Sequence, residues 1–288
     1  MQKLSKLNNL ELFFAGDGSR SDIDQQKIQA CWEIIEKYFP KIPSNRKLIH
    51  SKNLGCKLAM KNNLDWFFDN RDYGVVLEDD CIPSDNFIIE IRKLLLDLKQ
   101  SRNIFLISGF LPNLERNAIK TDKTLTLSNF PMIWGWGSWK NKWKTYKLDI
   151  PDYNEIVDDF AQKYFGTNLK NKNKIYFKTI FKTLFKSVQE GRLDTWDYSL
   201  LASVWRNRQM GLFFPTNQVT NIGFGHSATH TKNNPPSWVA TNYGNSNPSD
   251  FNSTNFDINF DNMMLEQVHK VNLRGFLEIQ IRKYIKSV

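Results

Sequence analysis

Ten residues, V-V-L-E-D-D-C-I-P-S at 75–84, carry the densest chemistry in the chain: Glu78, Asp79 and Asp80 stand side by side after an apolar run, with no basic residue among them. Adjacent carboxylates repel one another and resist burial, so the arrangement costs stability unless a cation or hydrogen-bond donors collect there. Carboxylate oxygens suit Mg²⁺ or Mn²⁺ bridging to substrate phosphates. The alternative is a surface turn whose carboxylates cap the next helix, helped by Ser84 and Asp85. Position favours the first reading, because Val75, Val76 and Leu77 read as a buried parallel strand whose carboxyl end opens on the usual ligand crevice of such sheets.

Three more stretches could do chemistry. In N-F-P-M-I-W-G-W-G-S-W-K-N-K-W at 129–143, Trp134, Trp136, Trp139 and Trp143 accompany Gly135 and Gly137. At least half of these indoles belong in a core; the glycines allow close backbone approach to a ligand, and a sugar fits against a flat indole. In R-L-D-T-W-D-Y-S-L at 192–200, Asp194 and Asp197 fall in the first turn of a helix. There they either complement the macrodipole, or one of them, flanked by Trp196 and Tyr198, is a general base. In N-I-G-F-G-H-S-A-T-H-T-K at 221–232, His226 and His230 stand four apart, but Gly223, Gly225 and Thr229 oppose a regular helix. A loop histidine joining the metal and one that only hydrogen-bonds are both open.

The elements that must position these residues alternate in period. Residues 10–14 read as a strand, 22–38 as a helix with Ile28, Cys31, Trp32, Ile35 and Phe39 on one face and Ser21 as cap, and 47–50 as a strand. A helix over 56–68, a strand at 75–77, a helix over 85–98 and a strand at 104–107 follow. This β-α-β-α-β-α-β order predicts a mainly parallel sheet covered by helices, with A-G-D-G at 15–18, E-D-D at 78–80 and S-G at 108–109 along one edge. The second half is turn-rich, apart from a helix over 173–190 with Lys174, Lys178, Lys182 and Lys186 every four residues beside Phe177, Ile180, Phe181, Leu184 and Val188. Its two readings are a core-packed helix with a solvated lysine face and a basic face resting on an anionic inner membrane surface.

Composition bounds the rest. The 288 residues are 41% hydrophobic and 14% aromatic, ample for a packed core. No secretion signal or membrane span is visible. Cys31, Cys56 and Cys81 are odd in number and widely spaced, which argues against a disulfide framework or structural zinc and for a reducing cytoplasm. A net charge of +9 attracts anions, but the basic residues are dispersed and no nucleic-acid-binding signature is present.

A-G-D-G-S-R at 15–20, K-N-L-G-C at 52–56, L-E-D-D-C-I-P-S at 77–84, W-G-W-G-S-W at 134–139, W-D at 196–197 and N-I-G-F-G-H-S-A-T-H-T at 221–231 come in the order of the functional parts of GT-A-fold glycosyltransferases. Over about residues 10 to 232 the chain resembles one bacterial group of that nucleotide-diphospho-sugar transferase superfamily. Its E-D-D and W-D are also similar to those of inverting N-acetylglucosaminyltransferases. The resemblance implies a single Rossmann-like α/β domain: a nucleotide-sugar-binding half over 1–110, an acceptor-binding and catalytic half over 111–262, and a C-terminal basic helix over 263–288. It implies that Asp17, Lys52, Asn53 and Gly55 surround the nucleotide, with Glu78 and Asp79 at its ribose or sugar. Asp80 would hold Mn²⁺ or Mg²⁺ together with His230, for which His226 is the weaker choice. Gly135, Trp136 and Gly137 would face donor and acceptor, and Asp197 would deprotonate the acceptor hydroxyl. Relatives begin with a further strand and helix, so this chain is expected to lack that first unit.

The expected function is an inverting, metal-dependent transfer of a sugar from a nucleotide diphosphate donor to a hydroxyl of a glycan or lipid-linked glycan, in polysaccharide biosynthesis. The partners would be the donor, the acceptor and an anionic membrane contacted peripherally. Two alternatives are a nucleotidyltransferase that makes nucleotide sugars, for which no glycine-rich, Arg/Lys-bearing phosphate loop is visible, and a non-catalytic nucleotide- or glycan-binding relative.

Overall fold

The computed structural model describes residues 4–6, 10–114, 124–167, 171–225, 234–244 and 254–285. They fall in two compact units, Met1–Arg71 with Asp194–Trp196, and Asp72–Leu193 with Asp197–Val288.

In the first unit, strand β1 (Phe14–Gly16) leads to helix α1 (Asp22–Tyr38), β2 (Lys47–Ile49) and α2 (Gly55–Asn70), and β1 pairs parallel with β2, Phe14 opposite Lys47. Ser21 caps α1 as its type predicts, its Oγ accepting from the Asp24 amide at 3.2 Å. The expected strand at 10–14 begins only at Phe14, because the preceding residues serve side-chain contacts instead of a ladder. Glu11 pairs with Arg46 at 2.7 Å and with Arg71. Phe13 packs edge-on against Trp66 and Phe67, both at 5.4 Å, under the Arg71 guanidinium. The apolar face of α1 is thinly covered: none of its residues is fully buried, and Cys31 is exposed.

The second unit contains β3 (Tyr73–Val76), β4 (Cys81–Pro83), α3 (Phe87–Asp97), β5 (Ile104–Ser108), β6 (Leu125–Ser128), β7 (Trp136–Trp139), α4 (Lys140–Trp143), α5 (Tyr153–Phe165), α6 (Lys172–Gln189), α7 (Asp197–Arg206), β8 (Met210–Phe213), β9 (Val219–Asn221), β10 (Thr254–Phe256), α8 (Ile258–Met263) and α9 (Leu273–Ile285). A π-helical turn, Met264–Val268, continues α8. Six strands form one sheet in the order β10-β6-β8-β5-β7-β3, while β4 and β9 form a separate antiparallel pair.

The predicted α/β alternation is present, but the sheet is mixed. Pairs β5–β8 and β10–β6 are parallel, whereas β7 runs antiparallel to both β3 and β5, and β6 antiparallel to β8. The crossover through α3 does give β3 and β5 one direction. The tryptophan-glycine segment then returns as β7 and inserts between them, a long-range pairing that local periodicity cannot register.

Strand β5 is buried at all five positions. Helix α6 turns Phe177, Ile180, Phe181, Phe185 and Val188 inward. Its Phe181 ring lies 4.6 Å from Phe177 and 4.9 Å from Trp205, and Trp205 stacks on Phe160 at 4.2 Å. The apolar side of this helix is therefore core-packed, and its lysine row is shorter than spacing suggests. Lys174 is 5% exposed, donating to Gln162 Oε1 at 3.0 Å and to the Gly166 carbonyl at 2.6 Å. Among the described residues no helix is long and apolar enough to cross a membrane.

Candidate functional site

The acidic cluster lies in the second unit, just past the end of β3. The Cys81 amide donates to the Glu78 carbonyl at 3.0 Å and closes a tight turn at Asp79–Asp80 that leads into β4. β4 is clamped to β9, Cys81 opposite Asn221, and the Ile222 amide donates to the Asp80 carbonyl at 2.9 Å. Gly223, its amide held by Asn221 Oδ1 at 2.8 Å, passes directly over the Asp80 side chain. A Cβ at 223 would lie 2.1 Å from Asp80 Oδ2, so only glycine lets the strand run there without displacing the carboxylate. Gly223 opposes a regular helix and is the first glycine of the N-I-G-F-G motif, two residues after Asn221.

Three further carboxylates lie within electrostatic reach of Glu78. Burial first, and then the charges of Asp80, Asp197 and Asp79, push the Glu78 carboxyl up to about 8. Its Oε1 is buried and has no hydrogen-bond partner among the described residues. Burial and these neighbouring charges thus favour the neutral form of Glu78. Asp197 opens α7 and accepts from the Tyr198 amide at 2.8 Å; Tyr198 is driven up by burial and by that neighbouring charge. Cys81 is no nucleophile here, because burial, Glu78 and Asp80 all hold its thiol protonated.

The donor chemistry suits a hard divalent cation, and the charge of Asp80, Asp197 and Asp79 acting on Glu78 is what a cation would relieve. Among the described residues, however, no three His, Cys, Asp or Glu side chains are grouped to hold a metal. The expected ligand His230, like His226, lies outside the described residues.

The first unit gives the expected nucleotide residues a definite local role. Asp17 Oδ1 accepts from the amides of Gly18 and Leu54, each at 2.8 Å. Its Oδ2 accepts from the Gly55 amide at 3.1 Å and Asn53 Nδ2 at 2.9 Å. Asp194 takes the next two amides, Cys56 and Lys57, both at 2.9 Å. Two carboxylates therefore fill the amide cradle at the start of α2, where an anion would otherwise bind. Asp17, Asn53 and Gly55 are committed to building that terminus, and Lys52 beside them is exposed. Asp194 is not in the first turn of α7 as its spacing suggested. It precedes that helix and caps α2, 138 residues earlier in the chain.

The tryptophan segment is also placed by packing. Trp136 is 0% exposed and Trp139 is buried, since β7 is an interior strand, and Trp143 is buried on α4. Gly135 is buried with φ +64°, and a Cβ there would meet Val219 at 2.6 Å. A Cβ on Gly137 would press on Ile91 and Leu95 at 3.0 Å each. Protein neighbours thus account for both glycines, and the fully covered Trp136 ring offers a ligand no surface. Half-buried Trp134 instead stacks on half-buried Trp238, 5.6 Å apart and 19° from parallel, with Phe224 edge-on to Trp134 at 5.7 Å. Trp238 was missed because its only local signal, P-P-S-W at 235–238, reads as a turn. Comparison with protein-family models and with curated proteins gives no match, so the functional reading rests on this geometry and on the motifs themselves.

Proposed function

We propose that the chain is an inverting glycosyltransferase that moves a sugar from a nucleotide diphosphate donor to a hydroxyl of a glycan or lipid-linked glycan. The observation that carries the reading is the electrostatic neighbourhood of Glu78, which includes Asp80, Asp197 and Asp79, with the Glu78 carboxyl pushed up and its Oε1 without a hydrogen-bond partner among the described residues. Asp197 is the general base that accepts the acceptor's proton as its oxygen attacks the anomeric carbon. Protonated Glu78 donates a hydrogen bond to a sugar or ribose hydroxyl, and exposed Asp79 accepts one. Asp80 would hold Mg²⁺ or Mn²⁺, with His230 as the further ligand the resemblance implies. Such a cation, when bound, neutralises charge on the departing diphosphate. The Trp134–Trp238 pair is the candidate platform for a sugar ring. A single displacement needs no enzyme nucleophile, in keeping with the protonated Cys81.

The test is hydrolysis and transfer on a panel of nucleotide sugars with and without Mn²⁺, alongside calorimetric titration of a nucleoside diphosphate. Asp197→Asn is expected to lower turnover by about 10²–10⁴ while keeping nucleotide affinity, and Asp80→Asn to remove the Mn²⁺ dependence of binding. Equal nucleotide affinity with and without Mn²⁺ in wild type and Asp80→Asn, and no turnover on any donor, would refute the proposal.

A further inference from the structure

The outer side of α6 floors an open groove of about 830 Å³ whose lining includes Ile175, Lys178, Lys182, Lys186, Arg192 and Gln280. Lys178 and Lys182 share one carboxylate, Asp158, at 2.8 Å each. Lys186 and Arg192 likewise share Glu190, at 3.6 Å from Lys186. Four cations against two carboxylates leave the groove an excess of two positive charges.

An apolar ridge adjoins it. Helix α9 turns Phe276 toward α6, its ring 5.0 Å from Tyr176. On its other side Leu273, Leu277 and Ile281 are 55%, 47% and 57% exposed. These positions are four residues apart and share one helical face. Gln280 of the same helix reaches the groove, and Ile175, 45% exposed, stands at its edge. A cationic groove beside an exposed aliphatic ridge is the layout of a surface that lies in a membrane interface, with apolar side chains at the acyl boundary and cations among headgroups.

Charge selects the occupant. A second copy seated on this face with twofold symmetry would bring two cation-excess grooves together in a protein that already carries +9. An anionic bilayer supplies opposite charge and an apolar layer at once. We propose that the α6–α9 face docks on an anionic lipid surface, with Leu273, Leu277 and Ile281 entering the headgroup layer and the groove cations contacting lipid phosphates. This surface is separate from the acidic corner, and its test does not depend on turnover.

The experiment is flotation of the full chain with phosphatidylcholine vesicles, with and without phosphatidylglycerol, at low and physiological salt. Two double variants change exposed side chains and are checked for fold by circular dichroism: Leu277→Ser with Ile281→Ser, and Lys186→Gln with Arg192→Gln. The wild type is expected to float only with phosphatidylglycerol present. The serine pair is expected to lower partitioning at least tenfold, and the glutamine pair to lower it by roughly 25-fold, about fivefold per cation removed. No flotation at low salt, or unchanged partitioning in either folded pair, overturns the proposal. So does a wild-type dimer that the serine pair converts to monomer in light scattering without any vesicle binding, which would assign the ridge to a second copy.

Discussion

Replacing Glu78 with glutamine removes a strongly stressed carboxyl and keeps nearly the same shape. The carboxyl titrates near 4.5 in the unfolded chain and near 8 in the folded one, so between those values the folded state binds the extra proton. Stability from this group is therefore fully present below pH 4.5 and is lost as pH rises through 8. At about 1.4 kcal/mol per pH unit, the loss is about 3 kcal/mol at pH 7 and about 5 kcal/mol above pH 8. Glu78→Gln has no such slope and is expected to gain on the wild type as pH rises. With an unfolding entropy of about 2.1 cal/mol/K per residue, the gain at pH 7 corresponds to about 5 °C in melting temperature. The assay is the difference between the two melting temperatures from pH 5 to 9, repeated with Mn²⁺. Asp261, pushed up to about 6 mainly by burial, acts with the same sign as Glu78, but is common to both proteins and cancels in the difference. At pH 8, Mn²⁺ is expected to raise the wild type more than the variant, because only the wild type has the charge to neutralise. Parallel curves for the two proteins, or a variant less stable than wild type at pH 8, would refute the account of the corner.

Gly223→Ala is expected to push the Asp80 carboxylate aside and weaken Mn²⁺-dependent nucleotide binding at least tenfold by calorimetry, with a smaller effect on metal-free binding. His269 lies between Phe130 and Phe181 at 5.3 and 5.5 Å, with Nε2 buried and without a hydrogen-bond partner among the described residues, and burial lowers it to about 4. Burial favours the neutral ring, so stability is lost as pH falls from 6.5 to 4, by up to about 3 kcal/mol; His269→Leu is expected to flatten that part of a urea-denaturation pH profile. Asp17→Ala strips acceptors from the amides of Gly18, Leu54 and Gly55 and is expected to cost about 2 kcal/mol in urea denaturation, whether or not nucleotide is present.

What the sequence determined by itself was local. Periodicity and capping residues set the positions of α1, α2, α3 and α6 to within a few residues, because a helix is specified by contacts three and four positions apart. The three adjacent carboxylates after an apolar run announced a stressed corner, since their repulsion does not depend on what surrounds them. Tertiary structure decided the rest. The insertion of β7 between β3 and β5 made the sheet mixed and buried Trp136, an outcome fixed by pairing between distant segments. Asp194 became the cap of a helix 138 residues away, a partnership that no local pattern encodes. Lys174 left its basic row because a carbonyl and an amide lay within reach of its amine. Gly223 matters only because β9 brings it over Asp80, and the titration of Glu78 follows from burial and from Asp197, which joins its electrostatic neighbourhood only in the folded chain. Side-chain identity sets what a residue can do; which charges and apolar groups surround it is a property of the packed fold, and that decides what it does.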